Sequence, residues 1–264
     1  MVNIETEITT LTPARCRELL GRNFDNRRVD QKVVDQYSRD ISNGDWQLNG
    51  ETISLDHDGN LINGQHRCLA IVKANRPVQT ILVTGLPPKV KDTIDGGKKR
   101  TYGDRLKMRG YKNYSSLAGN ITFMFQIASG SHKASLSARE MDRVLETHPN
   151  LTESCALARS SFKGQATYLG AVHYIGTYLG YKAQADAFAQ VMRDGQATYK
   201  NDAAVYYREF IYRDMVKAQR STLDFRRRLF VATWNKFYKR EPVTRARIPK
   251  QFSIKGWTTN ELGL

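Results

Sequence analysis

Hydrophobic residues recur at two different periods along this chain, and the change of period divides it. In "DQKVVDQYSRDISNG", Val33, Val34, Tyr37 and Ile41 fall at helical spacing and Gly44 closes the run, which predicts a helix. "ETISLDHDGNLIN" alternates instead, with Ile53 and Leu55 on one face and Thr52 and Ser54 on the other. Asp58-Gly59 marks a hairpin turn between that strand and "LIN". Upstream, "TPARCRELLG" reads as a short helix after the strand-like "IETEITTL". Downstream, the helical "GQHRCLAIVKAN" follows the hairpin at once, and "PVQTILVTGL" returns as an apolar strand. "KVKDTIDGGKKR" reads as a basic, glycine-interrupted loop with one helical turn before it. Thr101 and Asp104 then form a capping box for "YGDRLKMRG".

From about residue 114 alternation disappears. "SSLAGNITFMFQIASG", "SAREMDRVLETH", "LTESCALARSSF", "QATYLGAVHYIGTYLG", "YKAQADAFAQVMRDG", "DAAVYYREFIYRDMVKAQ" and "STLDFRRRLFVATWNKFYK" all favour helical spacing. The final "REPVTRARIPKQFSIKGWTTNELGL" is extended, and either packs back or trails. The expected fold is α+β: a small mixed α/β unit over residues 1–112, then an all-helical part over 113–264.

Composition adds that the chain folds and carries a strong charge. Its 264 residues are 40% hydrophobic with three tryptophans, enough for a buried core. No apolar run approaches the ~20 residues of a membrane span, so no membrane partner is expected. The beginning, "MVNIETEITTLTP", lacks the pattern of a signal peptide. Cys16, Cys68 and Cys155 are too widely spaced for a disulfide framework or a metal cluster, which suits a reducing, cytoplasmic setting. The formal charge of +15 splits into +4 for residues 1–110 and +11 for 111–264. Residues 213–255 alone hold thirteen Lys/Arg against three acids. Such a field attracts polyanions, with DNA the first candidate and a solvated basic face the plain alternative.

The most informative stretch is "NGQHRC". A helix N-terminus carries partial positive charge and favours acids, yet His66 and Arg67 stand in its first turn. A bound phosphate would make those cations complementary. Gly64 permits close approach, Arg67 clamps, and His66 donates a hydrogen bond or shuttles a proton. The alternative is a solvent-facing Arg67 and a His66 satisfied in the core. Cys68, one turn in, reads as a small buried residue. "DGGKKRT" repeats the feature, with Lys98, Lys99 and Arg100 just ahead of another helix start. Among nearby carboxylates, Asp58 is accounted for by the turn and Asp56 by the solvent face of the hairpin. Glu51 and Asp95 remain for Mg²⁺ or proton transfer, unless they serve as capping or pairing groups.

"GNLINGQHRCLAI" resembles the box shared by the ParB/sulfiredoxin superfamily, in which a strand ends in a Gly-x-x-Arg turn that opens a helix. "NFDNRRVDQKVVDQYSRDISNGDWQLNGETISLD" resembles that superfamily's first box. "VQTILVTGL" and "TIDGGKKRTYGDRL" extend the likeness to the ParB-like proteins of phages and actinobacteria, over roughly residues 8–110. The resemblance implies a nucleotide-binding unit with Gly64, Gln65, His66 and Arg67 around the phosphates and Arg27 and Arg28 approaching from the first box. Its expected cofactor is a nucleoside triphosphate, ATP or CTP, with Mg²⁺ held by Glu51. Catalytic duties would fall to Glu51, His66 and Asp95, and Lys99 and Arg100 would add phosphate contacts. Sulfiredoxin-like members carry a reactive cysteine where this chain has Gln65, which is no nucleophile, so reductase chemistry is set aside.

In the helical part, Arg226, Arg227, Arg228, Lys236, Lys239 and Arg240 recur beside Phe225, Trp234, Phe237 and Tyr238, as suits phosphate contact with base or sugar stacking. The same stripe also reads as core, with Phe225, Leu229, Ala232 and Phe237 inward and the charges solvated. The expectation is a nucleotide-binding, DNA-associated protein, a homodimer being possible, with NTP turnover or phosphoryl transfer as its chemistry if any. The alternatives are a ParB-like endonuclease and a non-enzymatic DNA-binding or inhibitory protein that kept the fold.

Overall fold

The structure, a computed structural model, describes residues 3–24, 26–94, 100–216, 221–245 and 252–264. It is α+β: a mixed four-stranded sheet with helices, then an all-helical region. Two compact units divide the chain, Met1–Lys99 and Arg100–Leu264.

In the first unit, strand β1 (Glu5–Leu11) runs into helix α1 (Pro13–Leu20). Thr12 caps α1 by accepting from Arg15 N at 3.2 Å, and Pro13 fills a first-turn position where no N–H is needed. Helix α2 (Gln31–Ser42) starts at Asp30, whose carboxylate accepts from Lys32 N at 3.0 Å, and buries Val34 and Ile41. Strands β2 (Thr52–Asp56) and β3 (Leu61–Asn63) form the hairpin. Helix α3 (Gln65–Ala74) then crosses to strand β4 (Val78–Leu86), which lies parallel to β2 and antiparallel to β1. The sheet order is β1-β4-β2-β3. α1 and α2 both pack on α3, and a Lys73–Asp35 ion pair at 2.6 Å joins α3 to α2.

Asp56 does not face solvent as the alternation suggested. It is 5% exposed and accepts from Asp58 N, Asn60 N and Asn60 Nδ2 at 2.9, 2.8 and 3.0 Å. Burial alone would push its carboxyl up, but the bonds from Asn60 and Asp58 together hold it below the usual value. The side chain builds the turn from within. Cys68 is fully buried, as expected of a small core residue, and its thiol meets that of Cys16 on α1. Their hydrogen bond pushes the Cys68 thiol up and the Cys16 thiol down.

The second unit holds α4 (Tyr102–Met108), α5 (Tyr114–Ala128), α6 (Ala138–Thr147), α7 (Leu151–Leu157), α8 (Ala166–Tyr178), α9 (Lys182–Asp194), α10 (Ala203–Val216) and α11 (Leu223–Phe237). Capping boxes start α4 (Thr101/Asp104) and α6 (Ser137/Glu140). α4 belongs here although the sequence suggested a break at 112, because Leu106 joins the helical core and Arg109 and Tyr102 both bind Asp142 of α6.

α8 is the central rod. Every residue from Leu169 to Gly176 is buried, and α5, α7, α9 and α11 pack around it. Gly170 and Gly176 allow that closeness: a Cβ would lie 2.6 Å from Asn120 Nδ2 at the first and 2.7 Å from the Trp234 ring at the second. Residues 252–264 pack back, burying Phe252, Ile254, Trp257 and Leu262, with Trp257 Nε1 donating to Met124 O at 3.1 Å. Among the described residues, no helix is long and apolar enough to cross a membrane.

Candidate functional site

β3 ends at Asn63, and the chain turns into α3 through Gly64 at φ 102° and ψ 10°. Glycine is needed there twice over. The backbone is left-handed, and a Cβ would sit 2.7 Å from Ile53 Cγ1 and 3.2 Å from Ile53 Cα. Gly64 supplies no side-chain cap to α3, and the first turn of the helix holds no acid.

Residues 22–24 and 26–30 close against this turn. Gln65, 5% exposed, accepts from Asn23 Nδ2 at 3.1 Å and donates through Nε2 to Arg27 O at 2.7 Å. Asn26 Nδ2 donates to Leu61 O at 2.6 Å. Asp30 N donates to His66 Nε2 at 2.9 Å. His66 therefore accepts at Nε2 where a donor or proton shuttle was expected, and it ties the start of α2 to the start of α3. Arg27 and Arg28 are exposed on the same loop. Arg22, at its beginning, lines an open depression with Arg15, Glu18, Leu19, Leu55 and Gly59.

Arg67 turns back toward β2. Its side chain is 11% exposed, with Nη1 donating to Thr52 O at 2.5 Å and Nη2 to Glu51 Oε2 at 3.1 Å. Glu51 is 66% exposed. The pairing of Arg67 with Glu51 answers much of the charge puzzle in the first turn, because the cation already has a carboxylate. It also bears on Mg²⁺, since Arg67 holds one Glu51 oxygen. Among the described residues, no three or more His, Cys, Asp or Glu side chains form a metal-binding group. Among the described residues, Glu51 therefore fits Mg²⁺ as a single protein carboxylate beside ligand phosphates. Asp95 and Lys99 lie outside the described residues, and Arg100 is exposed in the second unit just before α4.

The basic run near the end separates into two groups. Arg226 donates to Asp214 Oδ2 at 2.7 Å and to Ser221 Oγ at 2.9 Å. Arg227 reaches His132 O at 3.4 Å, and Arg228 binds Asp224 at 3.0 Å. All three are half-buried and serve the packing of α11. Lys236, Lys239 and Arg240 face outward, the two lysines sharing Glu241 at 3.3 and 4.0 Å. Trp234 and Phe237 are core residues at 1% and 4% exposure. Tyr238 reaches the surface, where its ring meets at a tilt that of Tyr181, a residue the sequence reading missed.

A second missed constellation joins α7, α8 and α9. Ser154 Oγ lies 2.8 Å from His173 Nδ1, and His173 Nε2 lies 3.0 Å from Asp186 Oδ1, with Lys182 on the other Asp186 oxygen at 2.6 Å. These residue types also make a nucleophile triad. Here Ser154 and His173 are 4% and 6% exposed within helix packing, which gives a substrate no approach. The arrangement cross-braces three helices.

Comparison of the chain with family models, with curated proteins and with solved structures finds no match.

Proposed function

We propose that this chain is a DNA-associated protein that binds a nucleoside triphosphate, ATP or CTP, at the start of α3. One observation carries the reading: α3 opens at Gly64 with no side-chain cap and no acid in its first turn, under a loop that exposes Arg27 and Arg28. N–H groups at the positive end of a helix dipole suit phosphate, and flanking arginines add charge and directed donors. The resemblance of "GNLINGQHRCLAI" to the ParB/sulfiredoxin box supplies the nucleotide class. In this reading the Gln65 and His66 side chains hold the loop in place, and only their backbone N–H groups face the ligand. Arg67 keeps Glu51 beside the turn, where Glu51 adds one carboxylate oxygen for Mg²⁺. The net charge of +15 supports DNA as the larger partner.

A second reading, a DNA-binding or inhibitory protein without turnover, is favoured by the hydrogen bonding of two expected catalytic groups. His66 Nε2 is occupied by Asp30 N, and Glu51 is paired with Arg67. Both side chains are held in contacts that join separate elements.

Titration of the full chain with labelled ATP, CTP and GTP, each with Mg²⁺ and with or without duplex DNA, tests both readings. Binding that falls at least tenfold in an Arg27→Gln/Arg28→Gln variant supports the phosphate site. Binding without phosphate release supports the second reading. No nucleotide binding in any condition overturns the proposal.

A further inference from the structure

α8 ends at Tyr178, and Tyr181 then stands at the N-cap of α9. α11 ends with Tyr238 as its C-cap. The Tyr181 and Tyr238 rings meet with centroids 5.0 Å apart and planes 38° apart, so two distant segments build one aromatic step. Trp234 lies beneath, 5.6 Å from Tyr238 and 1% exposed, and anchors the step to the core. Tyr181 keeps 39% of its surface exposed.

Cations surround this step. Lys239 Nζ is 5.6 Å from the Tyr238 ring centroid. Lys182 and Lys236 are 67% and 46% exposed at the side chain, and Arg240 is exposed. Against these four stand Asp186, paired with Lys182, and Glu241, shared by Lys236 and Lys239. α9 begins directly after Tyr181 with no side-chain cap and no acid in its first turn, which adds a partial positive charge at the same edge. Arg240 sits at φ 57°, in the turn that closes α11 through Glu241 N donating to Lys236 O at 2.9 Å. Every other described residue with positive φ is Gly or Asn. An arginine kept where glycine is easier is a cation held outward at some conformational cost.

We infer that the Tyr181–Tyr238 step is a base-stacking platform for single-stranded nucleic acid, with Lys239, Arg240 and the start of α9 taking the adjoining phosphates. The inference rests on the proposed association with DNA and narrows it to unpaired strands at this face. A ring offers stacking to any base, which gives affinity without sequence preference. In a duplex the base faces are already stacked on one another, so the rings gain nothing there and only the cations contribute. The positive balance of the face selects a polyanion over an apolar peptide or a second copy of this basic chain.

The test is fluorescence anisotropy with the full chain, a labelled oligothymidylate of about 20 nucleotides and a duplex of equal length. The variants are Tyr181→Ala, Tyr181→Phe and Tyr238→Phe, with thermal melting to confirm folding. Tyr181→Ala is expected to weaken single-strand binding about tenfold while leaving duplex binding within about twofold. Both Phe variants, which keep the ring, are expected to retain wild-type affinity. Unchanged single-strand binding in Tyr181→Ala, or an equal loss on both probes, overturns the platform and leaves DNA association standing. A wild-type chain that binds neither probe at low salt overturns the broader reading as well.

Discussion

Replacing Gly64 with alanine separates the geometric demand at the α3 turn from ordinary glycine flexibility. At φ 102° any L-residue loses roughly 1–2 kcal/mol relative to a right-handed or extended backbone. The added Cβ also meets Ile53 Cγ1 at 2.7 Å and Ile53 Cα and Cβ at 3.2 Å. Ile53 is fully buried in β2, which lies between β3 and β4, and one of the atoms met is its backbone Cα. Overpacking of that kind adds about 1–3 kcal/mol, so the total loss is about 2–5 kcal/mol. Gly44 is the matched control: it has φ 77° but a Cβ there meets nothing within 4 Å, so Gly44→Ala loses only the backbone part, about 1–2 kcal/mol. Urea unfolding read by hydrogen–deuterium exchange on peptides from β2 and α3, with α8 peptides as internal reference, measures both. Equal midpoints for the two variants would refute the close packing of Gly64 on Ile53.

Four further outcomes follow from the structure. Gln65→Ala removes the acceptor of Asn23 and the donor to Arg27 O, and is expected to cost about 1–3 kcal/mol and speed amide exchange across residues 26–30; unchanged exchange there would show that Gln65 does not hold the loop. Burial lowers the pKa of His148, and the backbone of Glu261 opposes this only in part. The unfolded chain therefore takes up the proton first, so this contribution is full above about pH 6.5, falls as pH drops below it, and levels off below the lowered value. Melting temperature against pH should show that slope in the wild type and lose it in His148→Gln; identical slopes would contradict it. Finally, Arg226→Gln should cost about 1–2 kcal/mol, a figure discounted because Arg226 is 31% exposed, and leave the salt dependence of DNA binding unchanged. Arg240→Gln should reduce that salt slope by about one; the opposite pattern would place the DNA on the other face of α11.

Local features were legible because they depend on neighbours in sequence. The spacing of Val34 and Ile41, the Asp58-Gly59 turn and the Thr101/Asp104 box all lie within the elements they shape. The same holds for the run of helices after residue 114. Strand alternation misjudged Asp56, because β2 is an interior strand whose end folds over its own hairpin and buries the carboxylate. At the candidate site, the nearness of Glu51 to the α3 start was readable from strand order, but the pairing of Arg67 with Glu51 was not. Nor were the contacts of Gln65 with Asn23 and Arg27, of Cys16 with Cys68, or of Tyr181 with Tyr238. Each joins residues from separate elements, and hydrophobic period carries no record of which side chains meet. The basic run shows the same limit: its charge was plain, while its division into packed Arg226–Arg228 and outward Lys239 and Arg240 follows from helix rotation and from partners at Asp214 on α10, Asp224 on α11 and His132.

The central claim is that the first turn of α3 receives a phosphate. Amide chemical shifts of the ¹⁵N-labelled full chain, followed during titration with Mg²⁺–ATP and Mg²⁺–CTP, test it at the atoms concerned. The account predicts saturable shifts at the Gln65, His66 and Arg67 amides and at Arg27 and Arg28 for at least one nucleotide. Saturable shifts confined to residues away from this turn, or none with either nucleotide, would contradict it.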